Sequence, residues 1–177
     1  MKAVIVYESL YGNTAAIAAA VADGLRQGAE VALLRVGEAS PEALEGADLL
    51  VVGGPTHVHG LSSRLSYRGA ADDAGKKGSE HPAADLAGPP LRDWLDGLTG
   101  VGRGAAAAFD TRVDKPRVLT GSAARGAASR LRTHGYAPVA SESFLVSGTA
   151  GPLLPGELDR ASAWGRSLAV TRLSGDR

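Results

Sequence analysis

Short apolar runs alternate with stretches whose apolar residues recur every third or fourth position. Lys2–Tyr7 is a strand-length run, and from about Asn13 to Gln27 residues Ile17, Val21 and Leu25 share one helical face, with Gly28 placed to end the helix. Val31–Val36 reads as a second strand, and Ser40-Pro41-Glu42 as a capped helix start leading through Leu44. The third strand, Asp48–Gly53, is apolar on both faces over Leu49–Val52, as a central parallel strand covered by helices requires. Residues 61–88 are less regular: a short helix near Ser63–Ala71, then a polar loop that reads as an insertion. Pro89-Pro90 opens a helix through Leu98 with Leu91, Trp94, Leu95 and Leu98 on its apolar face.

The second half repeats the alternation. Ala105–Phe109 is rich in alanine, which favours helix, but its shortness and its flanks of Gly104 and Asp110-Thr111-Arg112 predict a fourth strand. Ser122–His134 follows as a helix with Ala124, Ala127, Ala128 and Leu131 inward, then Val139–Ser147 as a fifth strand and Gly148–Gly156 as a loop. A last helix from about Glu157 to Arg172 turns Leu158, Ala161, Gly165 and Leu168 inward. Five strands alternating with helices predict an α/β fold, a doubly wound parallel sheet with helices on both faces and right-handed crossovers. Residues 1–177 show no internal repeat and read as one domain. Ligands in such sheets bind beyond the carboxyl ends of the strands, here the loops after Tyr7, Val52 and Ala108.

Composition narrows the chemistry. Nineteen Lys plus Arg balance nineteen Asp plus Glu, which disfavours a nucleic-acid binder. Without cysteine, disulfides, thiolate catalysis and Cys-ligated metals are excluded. No apolar run has the length of a signal peptide or of a membrane span, so a cytoplasmic protein is expected.

The loop after the first strand, Ser9-Leu10-Tyr11-Gly12-Asn13-Thr14, opens a helix. Unpaired N–H groups at a helix start favour an anion; Gly12 permits a tight bend, and Ser9, Asn13 and Thr14 carry donors. With no Lys or Arg in it, this is not an ATP-type loop. It resembles the FMN-phosphate loop of the flavodoxin family, roughly [ST]-x-[TY]-G-N-T. A second loop, Gly53-Gly54-Pro55-Thr56-His57-Val58-His59-Gly60, resembles the family's G-x-P-T-[YWH] loop beside the isoalloxazine ring. The resemblance implies strand order 2-1-3-4-5 and FMN as cofactor. It also implies contacts from residues 9–14 and from Pro55, Thr56, His57, Val58, His59 and Gly60. Phe109, Asp110, Thr111 and Arg112 occupy the place of the family's other ring-binding loop, an assignment made by position alone.

The chain departs from the family in two ways. Many flavodoxins sandwich the ring between aromatic side chains, whereas these loops offer His57, His59 and Phe109. The family's electron carriers are usually acidic, and this chain is neutral. Both departures tilt the reading toward an oxidoreductase acting on a small molecule such as a quinone or porphyrin, with NAD(P)H as a possible donor. An electron carrier for a redox protein and a flavin-free scaffold remain as alternatives. The His57-x-His59 pair permits a metal, but the nearest carboxylates in sequence are Asp48 and Asp72, and no metal is assigned. The stretch Gly100-x-Gly102-x-x-Ala105 lies between helix and strand, the reverse of a dinucleotide-binding context. His81 and His134 read as solvated or capping, and no G-x-S-x-G elbow occurs. No side chain stands out as a catalytic acid or base.

Overall fold

The computed structural model describes residues 1–57, 60–74, 88–98 and 104–174. Its elements in chain order are β1 (Lys2–Tyr7), α1 (Asn13–Leu25), β2 (Glu30–Arg35), α2 (Pro41–Leu44), β3 (Leu49–Pro55), α3 (Arg64–Ala74), α4 (Leu91–Asp96), β4 (Ala105–Val113), α5 (Arg117–Thr120), α6 (Ala123–Thr133), β5 (Ala137–Val146) and α7 (Glu157–Ser174). The five strands form one parallel sheet in the order β2-β1-β3-β4-β5, the expected doubly wound arrangement. The order reverses at β1 and β3, which places their carboxyl ends side by side.

Alternation within each strand builds two cores. Ala3 and Ile5 of β1, Leu49 and Val51 of β3, and Ala105, Ala107 and Phe109 of β4 meet α1 and α7 on one face. Val4 and Val6, Leu50 and Val52, and Ala106 and Ala108 meet α4 and α6 on the other. The alanines of β4 are a buried strand, where two-sided burial overrides helix propensity. Phe109, Phe144 and Trp164 pack edge to face with centroids 6.1–6.2 Å apart.

Several boundaries differ from the sequence reading. β4 runs to Val113 rather than ending at Phe109. Asp110 and Thr111 are buried within it because both find tertiary hydrogen-bond partners. α1 ends at Leu25, capped by Arg26 in ordinary helical geometry, so Gly28 is not its terminator. Leu158 faces outward from α7. Gly53 and Gly54 form no turn; they complete β3. A Cβ at Gly53 would lie 2.0 Å from the Phe109 ring, and one at Gly54 2.5 Å from Leu91, so these glycines admit side chains from β4 and α4. The helix expected at Ser63–Ala71 is α3; the polar loop that follows it lies outside the described residues.

Candidate functional site

Beyond the carboxyl ends of β1, β3 and β4 the loops are joined by hydrogen bonds. The Thr14 and Thr111 hydroxyls lie 2.8 Å apart, and the Thr56 N–H donates to the Thr111 carbonyl at 2.8 Å. Thr56 Oγ1 accepts from the Ala123 N–H at the start of α6 (3.0 Å). These bonds frame a cleft of about 380 Å³. It gathers Leu10, Tyr11, Asn13, Thr14, Pro55, Thr56, His57, Thr111 and Arg112 of the predicted site residues.

One end of the cleft is the start of α1. Gly12, its N-cap, has φ of 85°, where an L side chain would be strained. The N–H groups of Gly12, Asn13 and Thr14 have no hydrogen-bond partner among the described residues. Three donors at a helix N-terminus suit a phosphate dianion. The side chains expected to join them have other partners. Ser9 Oγ accepts the Ala15 N–H (3.1 Å), Asn13 Nδ2 donates to the Ala150 carbonyl (2.9 Å), and Thr14 is tied to Thr111. Asn13 therefore fastens this loop to the 148–152 loop. There Gly151 has φ of 103°, and a Cβ would lie 2.6 Å from the Asn13 amide.

The second wall is a closed turn. The His57 N–H donates to the Gly60 carbonyl at 2.8 Å, and the Gly60 N–H returns to the His57 carbonyl at 2.9 Å. The His57 imidazole lines the cleft, its Nε2 is buried without a partner among the described residues, and burial pushes its pKa below the ordinary value. Burial thus favours the neutral imidazole. Val58 and His59 lie outside the described residues.

The third wall corrects the sequence reading. Phe109 belongs to the core, and Asp110 turns away from the cleft to receive Ser122 Oγ (2.6 Å) and the Ala124 N–H (2.9 Å) at the start of α6. Because β4 is longer than expected, the wall begins at Thr111 and continues through Arg112, Val113, Lys115, Leu119 and Thr120. The Arg112 guanidinium donates to the Lys115 carbonyl (2.6 Å), while its Nε is buried without a partner among the described residues. Val146 and Thr149 close the cleft from the β5 side. Of these additions only Asp114-Lys115-Pro116, a turn-like triplet, carried a local signal. Replacing Asp110 with alanine is expected to lower unfolding stability by about 2 kcal/mol, since the Ala124 N–H and the Ser122 hydroxyl lose their acceptor. Chemical denaturation of Asp110→Ala against Asp110→Asn, which keeps an acceptor oxygen, measures this.

Glu8, directly before the first loop, had no predicted role. Its side chain is buried and accepts from Ser62 Oγ (2.5 Å) and the Leu91 N–H (2.6 Å), joining the end of β1 to the segment after Gly60 and to α4. Burial raises its pKa above the ordinary 4.5, more than these hydrogen bonds lower it. A carboxyl with a raised native pKa favours folding below its unfolded value, and that contribution is lost as pH rises through the native value. The stability of the wild type relative to Glu8→Gln is thus expected to be greatest below pH 4.5 and to fall as pH climbs above it. Urea midpoints of the two proteins between about pH 4 and pH 8 test the sign. A difference that grew with pH would contradict it.

The cleft fits FMN. It pairs N–H donors that have no partner among the described residues at one end with a wall of threonines, His57 and Arg112, in which His57 Nε2 and Arg112 Nε are buried and have no partner among the described residues. The family model described as Flavodoxin matches residues 5–93, half of the chain. A flavodoxin from the domain Archaea superposes with a TM-score of 0.64 at 18% identity, over 98% of this chain and 99% of that one. Oxidised Flavodoxin 1 from Bacillus cereus gives 0.65 at 16%, over 97% and 98%. The flavodiiron protein from Giardia intestinalis gives 0.60 at 20%, over 98% of this chain but 36% of that one. No curated protein sequence matches.

Proposed function

The chain belongs to the flavodoxin family, which binds FMN, and from that premise we propose that it is an FMN-dependent electron-transfer protein serving a protein partner. The observation that carries this reading is the cleft itself. Its inner end holds N–H donors with no partner among the described residues, and its outer rim carries apolar side chains in solvent, with Val118 85% and Leu119 61% exposed. An anchored cofactor with an apolar collar is what contact between two redox centres needs.

When bound, FMN supplies reversible electron transfer at its isoalloxazine ring. The N–H groups of Gly12, Asn13 and Thr14 hold the phosphate in this reading, with no formal positive charge from the loop. Asn13, through Ala150, and Thr14, through Thr111, keep that loop in register with the other two. Thr56, His57, Arg112 and Thr120 line the cleft where they would flank the ring of a bound FMN, and the Thr56–Ala123 bond ties the second wall to the start of α6.

A second reading, reduction of a quinone-like molecule with NAD(P)H as donor, draws support from His57. Its imidazole lines the cleft, and its buried Nε2 has no hydrogen-bond partner among the described residues. One experiment separates the two. Protein loaded with FMN, identified by its flavin absorbance, is reduced with dithionite and mixed with oxidised cytochromes, and in parallel given NADPH and a benzoquinone. Transfer to a cytochrome without NADPH–quinone turnover is expected. Turnover without transfer would make the second reading the correct one.

A further inference from the structure

The cleft rim is a concentration of unneutralised positive charge on a chain with no net charge. Among the described residues Arg112 and Lys115 line the cleft and no carboxylate does, and Arg117 stands on α5 beside them. Among the described residues none of the three is in an ion pair. The Arg112 guanidinium donates to the Lys115 carbonyl, and Arg117 donates to Ser143 Oγ at 3.2 Å. The ion pairs of the described residues lie elsewhere, at Arg26–Asp23, Arg64–Asp93, Arg130–Asp96 and Arg160 with Glu142 and Glu157. The carboxylate within this segment is the exposed Asp114, so residues 112–117 carry three cations against one anion. Val118, 85% exposed, and Leu119, 61% exposed, follow on the same short helix. An exposed apolar pair flanked by unpaired cations is a docking patch of defined sign.

Resting on the carrier reading above, we propose that the rim formed by Arg112, Lys115, Arg117, Val118 and Leu119 docks the acidic face of a redox protein. Carboxylates around the partner's redox centre meet the three cations, and an apolar spot on the partner covers Val118 and Leu119. The cations orient the encounter over roughly a Debye length, about 10 Å at 0.1 M salt, and the apolar pair supplies contact once water is displaced. No bond forms on docking; with FMN bound, one electron would pass per encounter from the reduced flavin, which is oxidised, to the partner's oxidised centre, which is reduced.

The test uses two probe proteins of opposite surface charge, acidic cytochrome b5 and basic cytochrome c. Oxidised holoprotein, labelled with nitrogen-15, is titrated with each oxidised cytochrome at about 20 mM and about 300 mM salt. Dithionite-reduced holoprotein is then mixed with each in stopped flow. Cytochrome b5 is expected to shift the amides of Lys115 and of residues 117–120, with affinity and transfer rate falling at least about tenfold as salt rises. Cytochrome c is expected to bind weakly, with a rate that does not fall. Arg117→Glu should cut the cytochrome b5 rate at low salt by about tenfold, and Arg117→Gln by less. Val118→Ser should lower it at both salt concentrations. Arg117 and Val118 lie outside the cleft lining, so FMN affinity, read by fluorescence quenching, should be unchanged in each variant. Transfer that is faster to cytochrome c and falls with salt, or is indifferent to Arg117→Glu, overturns this docking assignment and leaves the carrier reading intact. Absence of transfer to either cytochrome overturns both.

Discussion

Apoprotein is expected to bind FMN at least about a hundredfold more tightly than riboflavin, a difference of about 2.8 kcal/mol. The two flavins share the ring and the ribityl chain and differ in the phosphate. The N–H groups of Gly12, Asn13 and Thr14 have no partner among the described residues. Each hydrogen bond from such a donor to a charged oxygen is worth about 1.5–3 kcal/mol, so two suffice. The phosphate would face the positive end of the α1 dipole, which adds to the same sign. Because Asn13 and Thr14 spend their side chains on Ala150 and Thr111, Asn13→Ala is expected to act indirectly, by releasing the loop, and to cost less than loss of the phosphate. Fluorescence-quenching titrations of both flavins with wild type and Asn13→Ala give all four affinities. Equal affinities for FMN and riboflavin would remove the phosphate from the site.

The parts of this architecture that sequence could reveal are those set by contrast between neighbours. Apolar runs such as Leu49–Val52 against helix-spaced Ile17, Val21 and Leu25 give the strand–helix alternation, and two loops at carboxyl ends of strands locate the cleft. What stayed hidden depends on partners remote in sequence. Asp110 and Thr111 look like a loop, yet both are buried in β4, where α6 donates to Asp110 Oδ2 and Thr14 meets Thr111. That extension moved the third wall to residues 111–120 and brought in Lys115, Leu119 and Thr120. Gly53 and Gly54 read locally as the start of a loop, but their lack of a Cβ is used by Phe109 and Leu91. Glu8 reads as the polar end of a strand, and only Ser62 and Leu91 disclose a buried tether.

Gly24→Ala and Gly165→Ala are each expected to destabilise the fold by about 3 kcal/mol, against the usual direction for such a change in a helix. In an exposed helix, alanine in place of glycine gains up to about 1 kcal/mol from backbone entropy and propensity. Here α1 and α7 approach so closely that a Cβ at Gly24 would lie 2.1 Å from the Ser162 carbonyl oxygen, and one at Gly165 2.2 Å from that of Val21. Both obstacles are backbone atoms of helices, which cannot rotate aside as a side chain can, so the helices must separate along Ala18, Val21, Ala161 and Leu168 of the core. Gly69→Ala in α3, with open space where its Cβ would go, is the matched control and should be neutral to stabilising by about 0.5–1 kcal/mol. The two core variants should also be sub-additive, since a separation that admits one methyl has already made room for the other. Because α1 begins at the phosphate loop, the same displacement moves the N–H groups of Asn13 and Thr14 relative to Thr111, and weaker FMN binding should accompany the lost stability. Urea denaturation of the four variants measures the first effect, and FMN titration of those still folded measures the second. A Gly24→Ala protein as stable as Gly69→Ala would mean that α1 and α7 do not pack at this distance.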